Sequence, residues 1–179
     1  KRAVNDVVLS KSFDNGMVCA SEQAVILDAE IYDEAMAELE VLHAYRATPE
    51  EKAKLEELIF GVQAHDSSCS LAKLNASVVG KSPAWIAEQA GFSVPEDTSI
   101  ILAEVSGVGP HEPLTREKLC PVLAVLRAES SEEGISLAEQ MVEFDGLGHS
   151  AAIHTQDRGL VERFGSRVKA VRIIENAPS

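Results

Sequence analysis

The chain has 179 residues and a mass of 19.2 kDa, which is the usual size of one domain. Hydrophobic residues make up 45% and charged residues 25%, an ordinary globular composition with no apolar run of the roughly 18 residues that a membrane span needs. The net charge is −13, whereas a domain that binds a nucleic-acid duplex needs a basic surface. The composition therefore argues against disorder, a membrane span and nucleic-acid binding.

The three cysteines are Cys19, Cys69 and Cys120. Their number is odd and they lack CxxC or Cys/His spacing, so the sequence predicts neither a disulfide framework nor a metal site. This cysteine usage is typical of a reducing compartment, and we expect the protein in the cytoplasm. The chain begins at Lys1 without an initiator Met or a signal pattern, and we interpret it as a piece of a longer polypeptide.

The first third of the chain predicts a helix, a strand and two amphipathic helices. Apolar residues from 3 to 8 recur at helical spacing, and residues 14–16 form a turn signal before the strand pattern at 24–27. A second helical pattern covers residues 32–42. Thr48 followed by Pro49 is typical of the beginning of a third helix.

The rest of the chain continues the alternation of helices and strands. Ser82 caps a predicted helix that Gly91 ends, and Ser131 begins another that ends at Gly146. Further predicted elements are strands at 99–103, 122–126, 151–154 and 168–174, and a short helix at 160–164. This interleaving predicts an α/β domain with a largely parallel sheet.

The segment from Asp28 to Glu57 carries ten acidic residues against three basic ones, which accounts for most of the excess negative charge. The simpler interpretation is the solvated outer surface of two helices. The alternative is an acidic docking face.

Thiols and histidines are the candidate reactive groups, because no nucleotide-binding glycine motif, HExxH or GxSxG occurs. Cys19 follows a loop and has small, polar neighbours, which suits a reactive thiol, although cysteine is also a common buried residue. Cys69 lies in a polar stretch and is interpreted as an incidental thiol. Cys120 precedes Pro121 at the edge of an apolar run, so we expect it to be packed.

Several segments resemble the CoA-acylating aldehyde dehydrogenases, and most of all the aldehyde dehydrogenase half of the bifunctional aldehyde-alcohol dehydrogenases. The run SKSFDNGMVCASEQ is similar to the segment that carries the family's nucleophile. The resemblance covers nearly the whole chain in the family's order. The matching segments are residues 10–23, 74–80, 90–96, 117–122, 146–150 and 172–179.

The resemblance implies that Cys19 attacks an aldehyde, that the thiohemiacetal passes hydride to NAD, and that CoA takes the acyl group from the thioester. The backbone N–H of Cys19 would stabilise the oxyanion if a helix began at residues 20–23. Glu117 matches the glutamate that contacts the nicotinamide ribose; spacing alone favours a solvated charge. His149 matches a histidine that moves a proton of the thiol, or else only forms hydrogen bonds at a strand entrance. His43, His65, His111 and His154 are interpreted as structural.

The resemblance further implies a three-layer catalytic subdomain over residues 1–179, with the cofactor-binding domain absent from this chain. The parent protein would be a homo-oligomer of alcohol fermentation that interconverts acetaldehyde and acetyl-CoA, and the fragment alone would be inactive. Cys120 and residues 61–71 depart from the family pattern. One alternative is an assembly module of a filament-forming enzyme, which has no need of Cys19, and another is a stand-alone thiol hydrolase.

Overall fold

A computed structural model describes residues 1–61 and 73–179 of the chain. His65, Cys69 and all but the first residue of the divergent stretch 61–71 lie outside the described residues. Among those described, no helix is both long enough and apolar enough to cross a membrane.

Helices and strands alternate along the chain as the sequence predicts. The helices are Arg2–Ser12 (α1), Tyr32–Val41 (α2), Pro49–Phe60 (α3), Pro83–Ala90 (α4), Ser131–Asp145 (α5) and Arg158–Arg167 (α6). The strands are Ala24–Asp28 (β1), Ala44–Arg46 (β2), Ile100–Glu104 (β3), Val122–Ala128 (β4), Ser150–Ile153 (β5) and Arg172–Glu175 (β6).

Side-chain caps fix the beginnings of the predicted helices. The Thr48 hydroxyl accepts the N–H of Glu51 at 3.2 Å, and the Glu51 carboxylate accepts the N–H of Thr48 at 2.9 Å, which is a capping box. The Ser82 hydroxyl accepts the N–H of Trp85 at 3.3 Å. Gly91 ends α4 with a φ of +81°, a left-handed conformation that glycine adopts without a steric penalty.

Four strands form a parallel sheet in the order β1, β4, β3, β2. In its register Leu102 lies opposite Leu123, and Ile26 lies opposite Leu126. The two central strands are buried almost throughout, which explains why their sequences are continuous apolar runs without polar alternation. The prediction of an α/β domain with a largely parallel sheet is confirmed.

Helices cover both faces of this sheet, so the fold has three layers. Ile100, Leu102 and Leu123 point toward α1 and α2, and pack with Leu39 of α2. On the opposite face, Ile101 and its neighbours pack with α3, α4 and part of α5; this cluster includes Leu55, Ile59, Ile86, Ala87, Val122 and Ala124. Successive residues of a strand face opposite sides, so one continuous apolar run supplies two cores.

A smaller unit follows the main sheet. Strands β5 and β6 pair in parallel, and their connection contains α6. Ile135 and Val142 of α5 pack with Phe164 of α6 and with Val168. The structure therefore places a third, smaller apolar cluster beside the main sheet.

The largest differences from the predictions concern one helix, one strand and one short strand that the sequence did not predict. The predicted short helix at 160–164 extends over Arg158–Arg167, because Asp157 caps it by accepting the N–H of Gly159 at 2.8 Å. The strand predicted from residue 168 begins only at Arg172, since the N–H of Val168 still bonds to the last turn of α6. Strand β2 was not predicted because its three residues are too few to show a period.

Most carboxylates of the acidic segment are exposed on α2 and α3, which agrees with the solvated surface. Glu56 is buried, with 1% of its surface exposed, and forms an ion pair with Lys52 at 3.6 Å. The acidic docking face stays a prediction.

Candidate active site

The thiol of Cys19 is exposed on a turn between a 3₁₀ segment, Phe13–Gly16, and β1. The turn is packed against neighbouring loops. Asn15 donates its amide N–H to the carbonyl of Gly80 at 3.1 Å. Gly16 has a φ of +70°, and a Cβ at this position would lie 2.7 Å from the carbonyl oxygen of Cys120, so only glycine fits. The close packing fixes the backbone that presents the thiol.

Cys19 opens onto a cleft of about 500 Å³. The residues that line it come from α1, α2, β1, α5, β5 and α6 and from the loops between these elements. Glu117 and His149 line the same cleft, so the fold brings together three residues that lie up to 130 positions apart in the sequence. A cleft of this volume has the size of a small-molecule site.

Glu117 lies in the loop between β3 and β4. Its backbone N–H donates to a carboxylate oxygen of Asp145, at the end of α5, at 3.0 Å. Its own carboxylate accepts no hydrogen bond from the described part of the chain. The carboxylate is therefore available as an acceptor for a ligand that carries hydroxyl groups.

His149 lies immediately before β5 and is partly buried. Its backbone N–H donates to the carbonyl of Gly146 at 3.0 Å, and its carbonyl accepts the N–H of Val171, also at 3.0 Å. The imidazole makes no hydrogen bond or ion pair with residues 1–61 or 73–179. The backbone thus holds the ring at the cleft while the ring nitrogens remain available.

A helix that begins at residues 20–23 was the condition for the Cys19 N–H to act as an oxyanion donor, and no such helix follows Cys19. Residues 20–23 are turn and bend, and β1 begins at Ala24. The Ser21 N–H already bonds to the carbonyl of Val18 at 2.9 Å. The N–H of Cys19 makes no hydrogen bond to any residue that the structure describes, so this single group can still donate to an oxyanion.

The other thiol and the other histidines of the described chain have different surroundings. Cys120 is fully buried, as expected, and burial raises the pKa of its thiol. His43 is paired with Asp97 at 2.8 Å and His111 is exposed. His154 lines the cleft, where burial lowers its pKa. No group of His, Cys, Asp and Glu in the described ranges could hold a metal ion.

Two fully buried lysines near the cleft were missed by sequence reasoning. Lys11 is 0% exposed and its Nζ has no hydrogen-bond partner in the described structure; burial lowers its pKa to about 8. The sequence does indicate the burial of Lys11, since this residue continues the apolar stripe of Val4, Val7 and Val8 at helical spacing. Lys118 is also 0% exposed, and burial lowers its pKa. Lys118 lies in a charged run of the sequence, which does not indicate that it is buried.

No protein-family profile matches the chain. An aldehyde-alcohol dehydrogenase of Streptococcus pneumoniae is 63% identical over 179 residues, which is all of this chain and 20% of that protein. The bifunctional aldehyde-alcohol dehydrogenase of Escherichia coli is 39% identical over 182 aligned positions, 100% of this chain and 19% of the relative. The chain thus spans about a fifth of the length of these curated relatives.

A solved structure supports the same assignment. The acetylating aldehyde dehydrogenase of Geobacillus thermoglucosidasius superposes with a TM-score of 0.90 and 39% identity, over 99% of this chain and 37% of that one. In sequence and in fold, the chain is therefore similar to the acetylating aldehyde dehydrogenase portion of the aldehyde-alcohol dehydrogenases.

Proposed function

We propose that this chain is the thiol-bearing catalytic part of an NAD-dependent enzyme that interconverts acetaldehyde and acetyl-CoA. The observation that carries the proposal is the position of the exposed Cys19 thiol on one cleft with Glu117 and His149. An assembly module would need neither an exposed thiol nor this grouping of side chains. The acidic helices are the basis of that alternative, and nothing in their contacts favours it.

Two solved relatives support the cofactor assignment. A propionaldehyde dehydrogenase of Rhodopseudomonas palustris, 26% identical with a TM-score of 0.83, is described with bound CoA and an acylated cysteine. An engineered glycolyl-CoA reductase, 27% identical with a TM-score of 0.84, is described with bound NADP+. We infer that CoA and a nicotinamide dinucleotide are the ligands of this site as well, and we propose NAD.

In this mechanism the thiolate of Cys19 attacks the aldehyde carbonyl carbon, and a C–S bond forms to give a thiohemiacetal. The N–H of Cys19 donates to the developing oxyanion. NAD, when bound, supplies the hydride acceptor that converts this adduct into a thioester. The CoA thiolate then attacks the acyl carbon, the bond to the Cys19 sulfur breaks, and the thiolate of Cys19 is regenerated.

His149 and Glu117 have separate roles in the proposal. His149 accepts the proton of the CoA thiol before acyl transfer and returns it in the reverse direction, a task that suits imidazole near neutral pH. Glu117 would hold the nicotinamide ribose, because its unpartnered carboxylate on the cleft wall can accept hydrogen bonds from two hydroxyl groups.

The remaining assignments of the proposal concern the parent protein. We propose that residues 1–179 are the nucleophile-bearing subdomain and that the cofactor-binding domain belongs to another part of the polypeptide. We also propose a cytoplasmic homo-oligomer that acts in alcohol fermentation.

The direct test is the mapping of the acyl group on cysteine. Incubation of the full-length protein with acetyl-CoA, without NADH, should place an acetyl group on Cys19, because acyl transfer from CoA needs only the thiolate. Peptide mass spectrometry would locate the adduct. Cys19→Ala should remove both the adduct and the activity in both directions. Acetylation of Cys69 or Cys120 in place of Cys19 would contradict the assignment.

A second prediction concerns Glu117→Gln. The amide can no longer accept from both ribose hydroxyls, so we expect kcat/KM for NAD to fall about 10- to 100-fold, corresponding to roughly 1–3 kcal/mol. The rate at which Cys19 reacts with iodoacetamide should stay within about threefold. Steady-state kinetics at varied NAD concentration measures the first quantity and adduct mass the second. An unchanged kcat/KM for NAD would contradict this role and would support the interpretation of Glu117 as a solvated surface charge.

A further inference from the structure

Lys118 connects two loops through buried hydrogen bonds. Its Nζ donates to the carbonyl oxygens of Leu114 at 2.6 Å, Gln23 at 2.9 Å and Arg116 at 3.0 Å. Its backbone N–H donates to the side-chain carbonyl of Gln23 at 3.0 Å. Two of these four bonds stay within the β3–β4 loop, and two cross to the segment before β1.

Gln23 extends this connection toward the thiol. Its side-chain amide donates to the carbonyl of Ser21 at 3.1 Å, two residues after Cys19. Its backbone carbonyl also accepts the N–H of Ala124 in the central strand β4 at 3.1 Å. The turn that carries Cys19 and the loop that carries Glu117 are therefore tied to each other and to the main sheet at one point.

We propose that Lys118 is a positioning residue that fixes the segment carrying Glu117 relative to the thiol of Cys19. The proposal rests on the proposed function, since it assigns to these segments the ribose and the acyl group. The residue that touches the ribose is Glu117, and Lys118 acts through it.

The chemistry of lysine suits this task. An ammonium group offers three N–H donors on one small atom, and here three carbonyl oxygens accept them. A planar guanidinium cannot converge on three carbonyls in the same way. Removal of the ammonium would leave these carbonyls without their charged donor in a buried environment.

Lys11 provides a matched comparison. It is equally buried and its backbone carbonyl lies close to Gly16, at the end of the 3₁₀ segment before Cys19, yet its Nζ donates no hydrogen bond to residues 1–61 or 73–179. Loss of a buried lysine charge is common to Lys118→Met and Lys11→Met. Loss of the Nζ hydrogen bond that joins the two loops occurs only in Lys118→Met.

A comparison of the two half-reactions distinguishes a loss of nicotinamide positioning from a general loss of structure. Exchange of labelled CoA into acetyl-CoA requires only attack of the Cys19 thiolate on the thioester, release of CoA thiolate, and reversal. Hydride transfer also requires the nicotinamide to be held beside the acyl carbon, and a misplacement of about 1 Å can reduce such a rate roughly 100-fold. Lys118 should therefore matter for the second reaction and not for the first.

The experiment compares wild type, Lys118→Met and Lys11→Met in the full-length protein. For Lys118→Met we expect NADH-dependent reduction of acetyl-CoA to fall at least about 10-fold, with a larger isotope effect from NADH deuterated at the transferred position. NADH affinity, measured by nicotinamide fluorescence, should weaken several-fold. CoA exchange should stay within about threefold of wild type, and Lys11→Met should stay within that range in all three measurements.

Two results would contradict the positioning role of Lys118, and a third would contradict the proposed function. Equal losses of CoA exchange and of hydride transfer in Lys118→Met would assign the lysine to the general stability of the fold and overturn the proposal. If Lys118→Met does not fold, Lys118→Arg decides, because it keeps the charge but cannot donate to all three carbonyls. Unchanged hydride transfer in that variant would also overturn the proposal. Absence of CoA exchange in wild type would refute the proposed function itself.

Discussion

The 179-residue chain by itself is expected to form no acetyl-CoA from acetaldehyde and to show no micromolar affinity for NAD. Positioning of the nicotinamide beside the thiohemiacetal contributes on the order of 7–11 kcal/mol to lowering such a barrier. In the described structure Glu117 is the one residue assigned to this task, and the sequence has no dinucleotide-binding glycine motif. Calorimetric titration of the chain with NAD and with CoA, combined with an acetaldehyde assay, measures both expectations.

The full-length protein is the control, and it should bind NAD and turn over under the same conditions. Exposed apolar side chains in the segment that precedes Cys19 are consistent with a covering domain: Leu9 is 57% exposed and Phe13 is 66% exposed. We therefore also expect the isolated chain to self-associate at concentrations where light scattering is measured. Micromolar NAD affinity or turnover above that of Cys19→Ala would place the cofactor site within residues 1–179 and contradict the proposal.

The second large effect is expected at Lys11. Burial lowers the pKa of this amine from 10.5 to about 8, a difference that corresponds to roughly 3 kcal/mol of unfavourable free energy while the group is charged. Lys11→Met should therefore raise the free energy of unfolding at pH 7 by up to about 3 kcal/mol. Urea unfolding followed through Trp85 fluorescence measures it.

The pH dependence has a definite sign. Between pH 8 and 10.5 the unfolded chain holds a proton on Lys11 that the folded chain has released, so wild-type stability rises with pH in this window relative to the variant. The difference in free energy of unfolding between Lys11→Met and wild type should therefore decrease by about 2 kcal/mol between pH 7 and pH 9.5. A difference that is constant with pH would show that Lys11 keeps its proton when folded. Lys54→Met is the control for an exposed lysine.

The local sequence determined the elements of the main sheet and their caps. The apolar runs at 99–103 and 122–126 could be assigned as buried strands because both faces of a parallel strand are covered, and alternation is then lost. Thr48 and Ser82 marked helix beginnings through side-chain oxygens that satisfy free N–H groups, an interaction within four residues. Cys19 could be singled out by its loop and its resemblance to a known nucleophile segment.

The tertiary structure alone decided which residues share the cleft and what lies beneath it. Cys19 and Glu117 come together because the parallel order β1, β4, β3 places the β3–β4 loop beside the beginning of β1. His149 reaches the same cleft because it follows α5, whose last residue, Asp145, accepts the N–H of Glu117. The buried ammonium of Lys118 donates hydrogen bonds to carbonyls of two loops. No pattern of neighbouring residues in the sequence predicts such an environment. The sequence therefore determined the elements and singled out a candidate nucleophile, whereas long-range packing determined which residues share the cleft, since hydrogen bonds and burial depend on neighbours in space.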